Sequence, residues 1–155
     1  MTDEDRTFMA RAIALSETTA LVDRAGGPFG CVIVQDGRIL AEGANRVAAE
    51  NDPTWHAEMA AIREACRAAG RPTLDDATLY TSAEPCAMCL AAACWAGIAR
   101  IVYASTNADA AAAGFDAAWV AEEVCKPASA RRIPARQLMR AEAMEVWTAY
   151  RAASG

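Results

Sequence analysis

The chain lacks a second histidine: among 155 residues there is one, His56. Any centre built from paired imidazoles is therefore excluded. Large rings are also scarce, with three Phe, three Tyr and four Trp in a composition that is 54% hydrophobic. Alanine carries most of that share, so the core is expected to rest on close approach of helices. No long apolar run is present. The longest uncharged stretch, CAMCLAAACWAGIA at 86–99, falls well short of the ~20 residues that cross a bilayer, and it reads as a buried helix with no membrane role. The amino terminus, MTDEDRTFMARAIAL, lacks the basic segment and cleavage site of a secretory signal, so a cytoplasmic location is expected. An excess of positive charge is missing too: the net charge is −5, and the basic residues, all arginine but Lys126, cluster only in ARRIPARQLMR. Affinity for phosphates usually needs a basic face, which disfavours a nucleic-acid partner. No Gly/Ser/Pro-rich linker divides the chain, and one domain over residues 1–155 is expected.

Periodicity supplies the outline. Phe8, Ile13, Leu15, Leu21 and Val22 among charges predict a helix within 3–24 that ends before GGPFG. FGCVIV and RILAEGAN, joined by QDG, predict a β-hairpin turning at Asp36-Gly37. NDPTWHAEMAAIREACRAAG predicts a helix, with Asp52 as its cap, Pro53 in its first turn and Gly70 past its end. ATLYTS and RIVYAS read as strands on either side of a helix opened by Pro85, and residues 117–125 as a further helix. RRIPARQLM reads as a fifth strand and AEAMEVWTAYRAA as a closing amphipathic helix. A hairpin followed by alternating helices and strands implies a three-layer α/β/α fold around a mixed, roughly five-stranded sheet.

Six cysteines in a chain without secretory features are expected to be reduced. Cys31, Cys66, Cys94 and Cys125 sit in apolar or helical contexts and read as small core residues. Cys86 and Cys89 differ, because three residues apart at a helix start they can grip one ion. With His56 they form an N/S set suited to Zn2+, and with no second histidine the fourth position is expected to stay open to water, as in catalytic zinc sites. Glu58 would then move protons. Residues two apart in mid-helix point about 200° apart, so His56 and Glu58 must lie at the helix start to serve one centre. Trp95, on the cysteine helix, could stack beneath a substrate or belong to the core.

HAE at 56–58 followed by EPCAMC at 84–89 resembles the signature of zinc-dependent nucleobase deaminases, and the chain is similar over most of its length to the cytidine deaminase-like superfamily. Through GGPFGCVIV, NDPTWHAE, LYTSAEPCAMC, AGFD and KPASARRIP it looks most like bacterial guanine deaminases. That resemblance implies hydrolysis of guanine to xanthine and ammonia with Glu58 as the proton carrier. It also implies that Asn45, Phe29 and Asp116 hold the purine, with the amide of Ala57 available to a ring oxygen. Asn45 could equally end a strand, Phe29 belong to the core and Asp116 cap a helix. Glu142 matches a second proton-handling glutamate of relatives, or is a solvated helix residue. A homodimer and a carboxyl end that closes over the pocket are also implied. The sequence departs from the pattern at Ala83 and Ala87 and in its small-residue tail. Deamination of another amino-substituted ring (adenine, cytosine, a triazine, a free nucleoside), tRNA adenosine deamination and a non-catalytic zinc-stabilised module remain as alternatives.

Overall fold

Val32, Ile33 and Val34 form an unbroken apolar run, the pattern of a strand covered on both faces. In the computed structural model, which describes residues 2–154, that run lies in β1 (Gly30–Gln35), a central strand. It pairs antiparallel with β2 (Arg38–Ala44) and with β3 (Thr78–Ala83), and β4 (Arg100–Ser105) runs parallel to β3, in the order β2-β1-β3-β4. The β1–β2 turn holds Asp36 at φ 52° and Gly37 at φ 71°. Two successive positive φ values match the right-handed twist of a hairpin, and Asp-Gly reaches them cheaply.

Alternate residues of the sheet face opposite layers. Val32, Val34 and Tyr80 pack with Ala12 of α1 (Asp3–Glu17), while Cys31, Ile33 and Leu79 pack with Ala57, Ala61 and Ala65 of α3 (Ala57–Ala69). The short α2 (Val47–Glu50) lies between β2 and α3. Small residues let α3 sit close: a Cβ on Gly43 of β2 would meet the Ala57 carbonyl oxygen at 2.1 Å. Thr2 and Asp5 cap α1 reciprocally, a capping box, and Asp5 also ties the helix to the sheet. Its buried carboxylate accepts from the Tyr80 hydroxyl at 2.7 Å and pairs with Arg100, so it stands well below the usual carboxylate range.

Two compact units make up the chain, one up to Ala121 and one from Glu122 onward. The first holds all four strands, α1–α3, α4 (Ala87–Trp95) and α5 (Asn107–Ala112); the boundary falls inside α6 (Ala118–Cys125). The second holds a single 3-10 turn (Ala128–Ala130) and α7 (Arg140–Ala153), and in it Glu123 accepts from Lys126 at 2.9 Å and from the Arg132 amide.

Four expectations need correction. The sheet has four strands among the described residues, because RRIPARQLM forms no ladder; Pro134 within it has no N–H to give one. The uncharged run at 86–99 is buried on one side only: Cys89, Ala93 and Ala96 are inside, while Leu90 is 49% and Trp95 86% exposed. Cys94 and Cys125 are exposed, leaving Cys31 as the fully buried thiol of the four expected in the core. Asp52 does not cap α3. Its carboxylate accepts instead from the Thr54 amide at 2.8 Å and hydroxyl at 2.7 Å, a local turn that keeps Pro53 outside the helix and delays its start to Ala57.

Candidate active site

That delay decides how His56 is presented. It is the N-cap of α3, with extended backbone at φ −75° and ψ 156°, and Glu58 lies in the first turn. At a helix entry the residues no longer follow the helical rotation, so imidazole and carboxylate can converge. Cys86 stands in the same way as N-cap of α4, with φ −67° and ψ 170°, and Cys89 is in its first turn. Two helix N-termini therefore meet, each with free amide N–H groups and the positive end of its dipole, which favour thiolate and carboxylate alike. The amide of Ala57 is one of these first-turn donors.

The three donor atoms form a nearly equilateral triangle. Nδ1 of His56 lies 3.6 Å from Cys86 Sγ and 3.5 Å from Cys89 Sγ, and the sulfurs are 3.6 Å apart. Zinc distances of about 2.3 Å to sulfur and ~2.0–2.1 Å to nitrogen, held at tetrahedral angles, demand edges of about 3.8 Å between sulfurs and about 3.6 Å from sulfur to nitrogen. The residues fit zinc without rearrangement. Among the described residues no further His, Cys, Asp or Glu joins the group.

Protonation tells the same story. Hydrogen bonds from Cys89 and His56 draw the Cys86 thiol down to about 4, while Cys86 and burial push the Cys89 thiol far up. His56 is raised, chiefly by its hydrogen bond to Cys86. A divalent cation binding here would take the place of thiol protons. Glu58 is 6% exposed and burial raises it above an ordinary carboxylate, toward the range where a group both takes and returns a proton. The Thr81 hydroxyl donates to its Oε1 at 3.4 Å.

A cleft of about 770 Å³ opens onto His56 and Cys86. Phe29, Asn45 and Asp116 line it. Asn45 is buried and its oxygen is engaged, accepting from the amides of Gly27 at 3.1 Å and Val47 at 3.3 Å; its NH2 group is what remains for a ligand. Asp116 accepts from the amide of Ala118, the first residue of α6, through Oδ1 at 2.9 Å, and keeps a second oxygen. Trp95 neither lines this cleft nor packs into the core, since it stands 86% exposed at the end of α4. Glu142 is an exposed residue in the first turn of α7, in the second unit. Phe115, Met88, Trp119 and Val120 also line the cleft and were missed. Phe115 meets Phe29 edge to face at 5.1 Å. The only sequence signal for it was its place in AGFD.

These features define a class. The family model for the cytidine and deoxycytidylate deaminase zinc-binding region matches residues 2–105, and the chain belongs to this family of zinc-dependent deaminases. Within the class it is similar to the guanine deaminase of Bacillus subtilis (strain 168), at 48% identity over 145 residues that cover 94% of this chain and 92% of that one. The X-ray structure of a Bacillus subtilis guanine deaminase superposes with a TM-score of 0.91 at 47% identity, covering 98% and 95% of the two chains. The tRNA-specific adenosine deaminase of Agrobacterium fabrum is 44% identical over 95 residues, 61% of this chain and 62% of that one. A guanine deaminase structure from Nitrosomonas europaea gives a TM-score of 0.68 at 31% identity, over 74% and 65% of the chains.

Proposed function

We propose that this chain hydrolyses guanine to xanthine and ammonia, with zinc held by His56, Cys86 and Cys89. The observation that carries the choice of base is the reach of the similarity. The zinc-binding family region ends at residue 105 and the adenosine deaminase match spans 61% of the chain, whereas the guanine deaminase match spans 94%. Phe115, Asp116, Trp119 and Val120, one wall of the cleft, lie beyond residue 105.

Bound zinc supplies Lewis acidity that makes water an effective nucleophile at neutral pH. Glu58 accepts a proton from water as the C2–O bond forms and delivers a proton to the exocyclic nitrogen as the C2–N bond breaks, so one water is consumed and ammonia leaves. Guanine presents N1–H and an amino group as donors, which the remaining carboxylate oxygen of Asp116 can accept. Its ring also presents acceptors, to which the NH2 of Asn45 and the Ala57 amide can donate. Phe29 and Phe115 supply apolar walls for the flat ring.

Both units are read as parts of one deaminase domain over 1–155, because the guanine deaminase match runs through both. A cytoplasmic location fits a site that needs reduced thiols, and all six cysteines are free. A homodimer is supported by the exposed apolar side chains Leu90, Trp95 and Tyr103 on the first unit. The deciding experiment is ammonia release from purified protein of known zinc content, offered guanine, adenine, cytosine, an aminotriazine, guanosine and a tRNA anticodon stem. Turnover of guanine is expected. Turnover confined to any other compound refutes the choice of base, and zinc binding without turnover of any of them favours the non-catalytic module.

A further inference from the structure

The underside of Glu58 contains a polar group that the reaction so far leaves unused. Thr81 belongs to β3, where it pairs with Cys31 of β1 and Tyr103 of β4. It is 0% exposed, and Cys31 and Leu79 on its face pack against α3. A hydroxyl buried so completely carries a cost unless it meets a partner. Its partner is the Glu58 carboxylate, Oε1, at 3.4 Å. The other polar groups nearby are engaged elsewhere or unsuited. Ser82 accepts from the Gly30 amide at 3.0 Å. Cys31 is a neutral thiol, pushed well up by burial and by the Glu58 charge. The Cys89 thiol also hydrogen-bonds the Glu58 carboxylate, but as a thiolate ligand in the metal triangle it has no proton left to donate. The backbone amide of Glu58 also faces its own carboxylate, but that contact moves with the residue and cannot hold it against the sheet.

We propose that Thr81 is a positioning residue for Glu58: by donating to Oε1 from the floor of the sheet it reserves Oε2 as the oxygen that takes and returns the proton. The inference rests on the role given to Glu58 in the proposed deamination. A hydroxyl suits this task because the bond survives both states of the cycle. When Glu58 is ionised, Oε1 accepts from Thr81. When Oε2 carries the proton, Oε1 is a carbonyl oxygen and still accepts. The carboxyl group therefore need not rotate between collecting a proton from water and handing it to the leaving amine. Because β3 is bonded to a strand on each side, the anchor is as fixed as the sheet. At 3.4 Å the contact is long for a hydroxyl–carboxylate bond, so its role is orientation more than binding strength.

The experiment compares Thr81→Val, which keeps shape and removes the hydroxyl, with Thr81→Ser, which keeps the hydroxyl and removes a methyl. Zinc content, melting temperature and kcat and KM for guanine are measured on each full-length protein, and crystal structures of zinc-loaded wild type and Thr81→Val are compared. Expected is full zinc content in both variants, with kcat of Thr81→Val down about tenfold at KM within about twofold of wild type. Thr81→Ser should recover most of kcat, and the Glu58 carboxylate should be rotated or split between orientations in Thr81→Val alone. An unchanged kcat in Thr81→Val overturns the proposal, as does a Thr81→Ser that is as slow as the valine variant or a Glu58 carboxylate left in place. Failure of wild type on guanine refutes the substrate assignment instead. The two variants are then compared on whichever compound the panel shows to react, and if none reacts the carboxylate orientation decides.

Discussion

Gly43→Ala attacks the site from the opposite face of the helix that carries it. An ideal Cβ at Gly43 would lie 2.1 Å from the Ala57 carbonyl oxygen and 2.6 Å from the Ala61 amide nitrogen, both backbone atoms, whereas ordinary contact begins near 3.4 Å. Backbone cannot swing aside as a side chain can, so the first turn of α3 has to retreat from β2 by about 1.3 Å. His56 and Glu58 begin that turn and travel with it, while Cys86 and Cys89 belong to α4 and stay. A methyl forced into a packed contact costs about 1–3 kcal/mol. In a chain of this size that lowers the melting temperature by roughly 2–4 °C per kcal/mol. A displacement of about 1 Å at the reacting groups costs on the order of 100-fold in rate. The assay is a thermal melt with zinc analysis, and kcat on guanine measured well below the melting transition. Zinc should bind more weakly and kcat fall about 100-fold. Wild-type melting with wild-type kcat would refute the claim that this close approach places the catalytic turn.

Three further outcomes are expected. Glu58→Gln keeps shape and metal ligands but cannot carry a proton, so zinc content and melting should persist while kcat falls about 10²–10⁴-fold; retained turnover would remove Glu58 from its role. Cys86→Ser should lose zinc at neutral pH, measured by metal analysis after gel filtration, because an alcohol does not replace the thiolate that balances the cation; full zinc content would show that the triangle is not the metal site. Asp5→Asn probes pH dependence: with Arg100 and Tyr80 holding the folded Asp5 below its ordinary value, its contribution is complete above a pH of about 4 and shrinks as pH falls below that. Urea unfolding from pH 7 to pH 3 should show a variant weaker than wild type at pH 7, with the gap closing in acid, and parallel curves would contradict it.

Local signals were enough for much of this. A two-residue Asp-Gly turn announces its hairpin because few residues accept two positive φ values, and Gly70, found at φ 64°, ends α3 for the same reason. The ligand set is legible from residue type and spacing, since one histidine and a CxxC at a helix start leave little choice about the donors. Asp52 misled because its carboxylate serves a helix cap and a local turn equally well, and the choice depends on where α3 must start to fit β2. RRIPARQLM misled because a strand exists only through its neighbours, and an apolar residue between arginines does not say whether a ladder is there to join.

Residue types and their spacing carry the candidates for the chemistry: the metal donors, the proton carrier proposed at Glu58 and the small residues that permit a tight sheet. Where those groups stand in space follows from the packing of the elements. That packing made His56 and Cys86 caps so that two helix ends converge at 3.5–3.6 Å, set Thr81 beneath Glu58, brought Phe115 against Phe29, and left Trp95 exposed. Covalent identity and local backbone preference are written residue by residue. Distances between residues 30 or more apart in the chain depend on how closely whole elements pack, and that is settled by the fold as a unit.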